Sequence, residues 1–167
     1  MPITSDDIKF YLSGGETNSN PNLSLGGDIS NTEIANATLH NLFDRVLGDE
    51  SYTGDTEYRA FYVKNTHASL TWEGVKVWID TNTPAGDTIE IGIESSKGSP
   101  KQSIANENTA PTGITFSAPS NKENGLNLGD LLPGDVYMIW VKRIVPPSTA
   151  AYNTNYFILK FEGDTAA

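Results

Sequence analysis

Residues 136–145, VYMIWVKRIV, are apolar on both faces of an extended chain as far as Val141. A strand sends successive side chains to opposite faces of its sheet, so a strand with one wet face is apolar only at alternate positions. This run therefore predicts a central strand covered on both sides. Other stretches show the half-wet pattern. IKFYLS (8–13) sets Ile8, Phe10 and Leu12 against Lys9, Tyr11 and Ser13. GVKVWID (74–80) sets Val75, Val77 and Ile79 against Lys76, Trp78 and Asp80, and DTIEIGIES (87–95) repeats the alternation with Ile89, Ile91 and Ile93. EYRAFYVKN (57–65) and NYFILKFEG (155–163) are strongly β-prone, and GITFSAP (113–119) is a weaker candidate. Segments rich in Gly, Pro, Asn and Asp separate them, including DTNTPAGD, read as a hairpin, and SNKENGLNLGD. Helical spacing occurs once, in NTEIANATLHNLFDRVLGDE (31–50), where internal Asn, Thr and Gly limit it to a turn or two.

Strands at this spacing with no intervening helices favour an antiparallel sandwich or barrel over an α/β sheet. Just before the central strand, Leu131-x-Pro133-Gly134-x-x-Tyr137 resembles the corner that precedes the penultimate strand of immunoglobulin-like and fibronectin-type sandwiches. That resemblance implies a tyrosine hydroxyl bonding back to upstream backbone and fixing the crossing between sheets. The fold expected is all-β, an antiparallel immunoglobulin-like or jelly-roll-type β-sandwich with a short helical turn and an extended N-terminal segment. Residues 1–36 make the N-terminal strand and Gly/Asn-rich segment, and 37–167 the sandwich, in a single domain. The stretch 14–36 is too long for a tight hairpin loop. It is either an ordered arm lying along a neighbour or a segment folded back on its own domain.

Composition excludes several functions. Twenty-one acidic against 11 basic residues give a net charge of -10, which repels phosphate backbones and anionic lipid, so neither nucleic acid nor membrane is an expected partner. With 0 cysteines there are no disulfides, thiolate metal sites or Cys nucleophiles. No secretory signal is visible, and no apolar run approaches the ~20 residues that cross a bilayer.

Chemistry-bearing patterns are sparse. His40 and His67 have no spaced third ligand that would announce a metal site. Asp49, Glu50 and Asp55 crowd a Gly-containing loop in which solvent would keep them ionised, unlike the paired acids of a glycosidase. Asp80, Asn82 and Asp87 flank the 80–87 turn and offer oxygens for calcium, but match no EF-hand loop. There is no G-x-S-x-G elbow, and SGG and LGG lack the rest of a phosphate loop. No cofactor and no enzymatic activity are therefore expected. The aromatic residues point instead to contacts. Trp72 and Trp78 either cover the sandwich edge, meet a neighbouring subunit, or join Tyr52 and Asn82 in a glycan platform. Together with Tyr11, Asn22 and Leu23 of the N-terminal segment, the two tryptophans are the candidate interface residues.

Three stretches, IKFYLSGGETNSNPNLSLGGDIS, GDTEYRAFYVKNTHASLTWEGVKVWID and PPSTAAYNTNYFILKFEGD, resemble a family of small structural proteins of tailed bacteriophages. Residues 95–125 match least. The resemblance implies a sandwich built into the virion, as a capsid decoration or cement subunit or as a tail or baseplate accessory. Such a subunit would be assembled in the bacterial host cytoplasm and would stabilise the particle through contacts with other virion proteins. It would be a homo-oligomer on the particle, with no catalytic residues. The alternative from the residues is a host-recognition or carbohydrate-binding sandwich.

Overall fold

The computed structural model describes residues 2–165. Eight strands and one short helix follow in order: β1 (Ile8–Ser13), β2 (Ile29–Glu33), α1 (Gly48–Thr53), β3 (Asp55–Asn65), β4 (Trp72–Asn82), β5 (Thr88–Ile93), β6 (Leu126–Leu131), β7 (Val136–Val145) and β8 (Phe157–Thr165). They form two antiparallel sheets, β2-β1-β3-β7-β5 and β6-β4-β8, stacked as an all-β sandwich. After β3 each strand lies in the opposite sheet to the one before it. The 80–87 segment is therefore not a hairpin but a crossing from β4 to β5. So is the turn between β3 and β4.

The expected alternation holds where it was read. Val75, Val77 and Ile79 of β4 meet Phe61 and Val63 of β3, Ile89 and Ile91 of β5, and Ile139 and Val141 of β7 between the sheets. Fully burying side chains of this size contributes about 1.5–3 kcal/mol each, which makes this the main driving force for the fold.

The doubly apolar β7 finds its explanation on the other face of the five-stranded sheet. There Met138 and Trp140 pack with Tyr58, Ala60 and Tyr62 of β3, beneath Leu25, Ile104, Ile114 and Phe116. Two loops, 14–28 and 94–117, thus form a flap over that face. Backbone bonds lock it down: Ala60 N–H donates to Ser24 O at 2.8 Å, and Ile104 N–H to Leu25 O at 2.9 Å. Tyr62 Oη–H donates to Gly27 O at 2.5 Å, and Trp140 Nε1–H to Glu94 Oε1 at 2.9 Å. Gly26 permits the close approach. Its φ is +88°, and a Cβ there would lie 2.2 Å from Gln102 O. The 14–28 segment is therefore folded back on its own domain.

Three local readings need correction. Residues 34–47 are irregular, because Ala37 and His40 adopt left-handed φ values of 55° and 57°, and the single helix begins only at Gly48. Residues 113–119 make no strand, only an isolated bridge between Ser117 and Ile91. The Tyr137 hydroxyl does bond to upstream backbone, donating to Glu94 O at 2.7 Å, but that carbonyl follows β5 in the same sheet as β7. The crossing between sheets is held by Asn65. Its Nδ2 donates to Leu131 O at 2.8 Å, and its carbonyl accepts from Gly134 N–H at 2.8 Å. Gly134, at φ +85°, supplies the turn.

Candidate functional site

The tryptophans do not form an outer platform. Trp72 is 6% exposed and belongs to the core between the sheets, where it packs among apolar residues. Trp78 is 5% exposed on the other face of β4, with the Lys160 ammonium 5.5 Å from its ring centroid. Neither ring is free to contact a subunit or a sugar, which corrects the expectation of a tryptophan-bearing binding edge. Tyr11 is half-buried under the flap side of β1, with Lys64 Nζ 6.0 Å from its ring. Asn22 and Leu23 are exposed on a short 3-10 turn in the flap. The five residues are thus dispersed over the molecule.

The sequence-derived metal and acid candidates are dispersed too. His67 Nδ1 accepts backbone N–H bonds from Ser69 and Leu70 at 3.1 and 3.0 Å, which makes it a turn-forming residue. His40 is exposed. Asp87 accepts from Asn155 Nδ2 at 2.7 Å, while Asp80 is exposed at the end of β4. Glu50 closes the first turn of α1, accepting from Leu47 N–H at 2.6 Å.

One end of the sandwich gathers the unusual chemistry. Here β3 starts, β7 ends, and Glu57 lies directly opposite Arg143 in the register. Glu57 (1% exposed), Arg59 (0%) and Arg143 (7%) share the inward face of their strands with Phe61 and Val141. Arg143 Nε–H donates to Glu57 Oε2 at 2.6 Å, and its Nη1 donates to Asp44 O at 2.7 Å. Its Nη2 also lies against the Glu57 carboxylate, but without hydrogen-bond alignment. Arg59 Nη2 donates to Glu107 Oε2 at 2.5 Å and approaches Glu57 Oε1 at 3.8 Å and Asp44 Oδ1 at 3.9 Å. Both guanidinium groups lie over the Phe43 ring, at 4.7 Å for Arg143 and 5.4 Å for Arg59. Burial pushes the Glu57 carboxyl above its ordinary value, while Arg143 and then Arg59 pull it back.

Oxygens of Asp44, Glu57 and Glu107 lie within 4.8 Å of one another, close enough to invite a cation. The two guanidiniums already answer those charges, so the cluster is a salt network, buried at Glu57 and the arginines and open at Asp44 and Glu107, that ties the 34–47 loop to β3 and β7. Sequence reading missed it.

Around the same end run loop 34–47, α1, loop 83–87 and loop 146–156. They are joined: Ser148 N–H donates to Tyr52 O, Thr149 N–H to Ser51 O, and Thr83 N–H to Tyr156 O. Phe43 meets Phe157 edge-on at 6.3 Å. On these segments Leu39, Leu47, Tyr52, Tyr152 and Tyr156 are exposed. Arg45, Asp49 and Asp80 are exposed as well. All three non-glycine residues with left-handed φ among the described residues, Ala37, His40 and Ser148, belong to these loops. Sparsely populated backbone angles persist where surrounding structure holds them, and they concentrate at functional loops. Two surface depressions are shallow and open, one lined by Thr53–Thr56, Asn108 and Ile144–Pro147, the other by residues that include Ser95–Lys97 and Asn127–Asp130. Comparison of the chain with family models, curated proteins and solved structures finds no match.

Proposed function

We propose that this chain is a non-enzymatic structural subunit of a tailed-bacteriophage virion, docking on other virion proteins through the loop end of its sandwich. The observation that carries the reading is the set of exposed tyrosines and leucines on hydrogen-bonded loops at that end, braced from below by the Glu57–Arg143 network. Interfaces favour rigid aromatic anchors with a polar rim, and this surface has both. Its acidic residues favour a partner surface of basic character. The resemblance of three long stretches to phage structural proteins supplies the setting.

The test uses point variants. Removing residues 1–30 would take β1 and part of β2 out of the five-stranded sheet, so truncation cannot separate docking from folding. Particles assembled with this chain should retain it through density-gradient purification, as read by mass spectrometry. Replacing Tyr52, Tyr152 and Tyr156 together by Ser should strip it from particles and leave its urea midpoint unchanged. A chain absent from wild-type particles refutes the role. Full incorporation of the triple variant refutes the docking surface.

A further inference from the structure

We infer that two copies of this chain pair through the free edge of β8, joining their three-stranded sheets into one continuous six-stranded sheet about a two-fold axis. β8 is the edge strand of β6-β4-β8. It is nine residues long and hydrogen-bonds β4 along one side. Among the described residues, no backbone–backbone bond joins its other side to the chain. An open edge of this length is a template for another strand, and natural edges are blunted by proline, bulges, shortness or charged side chains. β8 has only the last of these, and its charges are of both signs. It contains no proline, and where its pairing with β4 shifts register, the extra residue lies in β4 each time: Gly74 and Val75 together face Gly163 at one shift, and Asp80 is unmatched at the other. β8 itself stays regular.

The charge pattern selects the occupant and the register. A two-fold perpendicular to the sheet pairs residues of like face, so the axis must lie between one residue of the strand and the same residue of the other copy. On the outward face β8 carries Ile158, Lys160, Glu162 and Asp164. Centring the axis on Lys160 opposes two lysines, centring on Glu162 opposes two glutamates, and centring on Gly163 opposes Glu162 to Asp164. Centring on Phe161 opposes Lys160 of each copy to Glu162 of the other and brings no like charges face to face. That register repeats the favourable pair twice, as an isologous contact must. Directly opposed unlike charges stabilise antiparallel pairs, and like charges destabilise them. Lys160 is exposed, and Glu162 already accepts from Lys122 Nζ at 2.7 Å, leaving its second oxygen for the incoming ammonium. On the inner face Phe157, Leu159 and Phe161 are only half-buried, although Phe161 already meets Phe10 at 5.0 Å and Phe61 at 6.3 Å. A second β8 would cover them further. This inference stands on β8 alone and is independent of the virion reading.

Sedimentation velocity and light scattering test it on the full chain. The wild type should run at about twice the 18.1 kDa of one chain, dissociating on dilution and with added salt. Lys160→Glu alone and Glu162→Lys alone should each be monomeric, because each places like charges across the axis. Mixing the two variants should restore a species of dimer mass, since every cross-axis pair is then Glu against Lys. Recovery on mixing cannot come from a folding defect. A wild type that stays monomeric up to millimolar concentration overturns the inference. So do single variants that remain dimeric, and so does a mixture that remains monomeric.

Discussion

Replacing Glu57 by Gln would test whether the salt network under the loop end supports the fold. The change keeps side-chain volume and removes one negative charge from between two guanidiniums that are 7% and 0% exposed. Removing one partner of a buried ion pair typically destabilises by about 3–5 kcal/mol, because the other charge stays desolvated. The low end applies here. Arg59 keeps its bond to Glu107 at 2.5 Å, and Arg143 keeps the Asp44 carbonyl at 2.7 Å and the Phe43 ring. With a urea dependence of about 2 kcal/mol/M, a loss of ~3 kcal/mol moves the midpoint down by ~1.5 M. Tryptophan fluorescence reports the transition, since Trp72, Trp78 and Trp140 are all buried in the folded chain. In an Arg143→Met background the same Glu57→Gln change should lose only about 1 kcal/mol, the remainder being the coupling between the pair. A loss under about 1 kcal/mol in the wild-type background, or equal losses in both, would show that the buried Arg143 does not depend on the Glu57 carboxylate, and the argument for a bracing network fails.

Other perturbations probe the remaining parts. Tyr137→Phe leaves the buried Glu94 carbonyl without its 2.7 Å donor and should cost about 1–2 kcal/mol, read from the same urea titration. Gly26→Ala forces a Cβ against Gln102 O and the Trp140 ring at a left-handed φ. It should speed hydrogen exchange at Ala60 and Ile104 at least tenfold by loosening the flap, while amides in β4 keep their protection. The Asp7 carboxyl is held below its ordinary 3.8 by the Thr4 backbone N–H and then the Thr4 hydroxyl, with His67 and Lys9 adding smaller attractions. A depressed folded pKa means that its stabilisation is present above the unfolded value and is lost as pH falls through the folded one. The midpoint difference between wild type and Asp7→Asn should therefore be constant near neutrality and shrink below about pH 4, where carboxylates begin to protonate. A difference that grows on acidification would contradict the hydrogen-bond assignment.

What the sequence revealed follows from which forces act locally. The strands with clean alternation, β1, β4 and β5, were legible because each has one face on the core. β7 was legible because it has two. What covers its second face was not, since Leu25 and Ile104 lie far apart in the chain and neither sits in a patterned run. β2 (ISNTE) is mostly polar and is a strand only because β1 offers it an edge. β6 (LNLGDL) hides its alternation behind a shift at Gly129, whose φ of +73° lets Leu128 and Leu131 both reach the core.

The salt network shows how a stricter use of the same rule would have reached further. In EYRAFYVKN, Glu57 and Arg59 have the parity of Phe61 and Val63, and Arg143 has the parity of Ile139 and Val141. Charges in phase with a buried face must find partners there or remain unpaired at high cost. Although Lys64 and Lys142, equally in phase with the buried Tyr62 and Trp140, stay half-exposed, parity makes Glu57, Arg59 and Arg143 candidates for a buried acid–base set. Their meeting required only that β3 and β7 be neighbours in one register, and Glu57 opposite Arg143 is what that register delivers. The exposed tyrosines carry no such signal. Tyr52 lies in the short α1 between β2 and β3, Tyr152 and Tyr156 lie in the unpatterned loop between β7 and β8, and only the folded connectivity brings these two segments to the same end. In a sandwich whose successive strands change sheets, loops distant in sequence converge as a matter of connectivity. A surface built there is visible in the fold and silent in the chain.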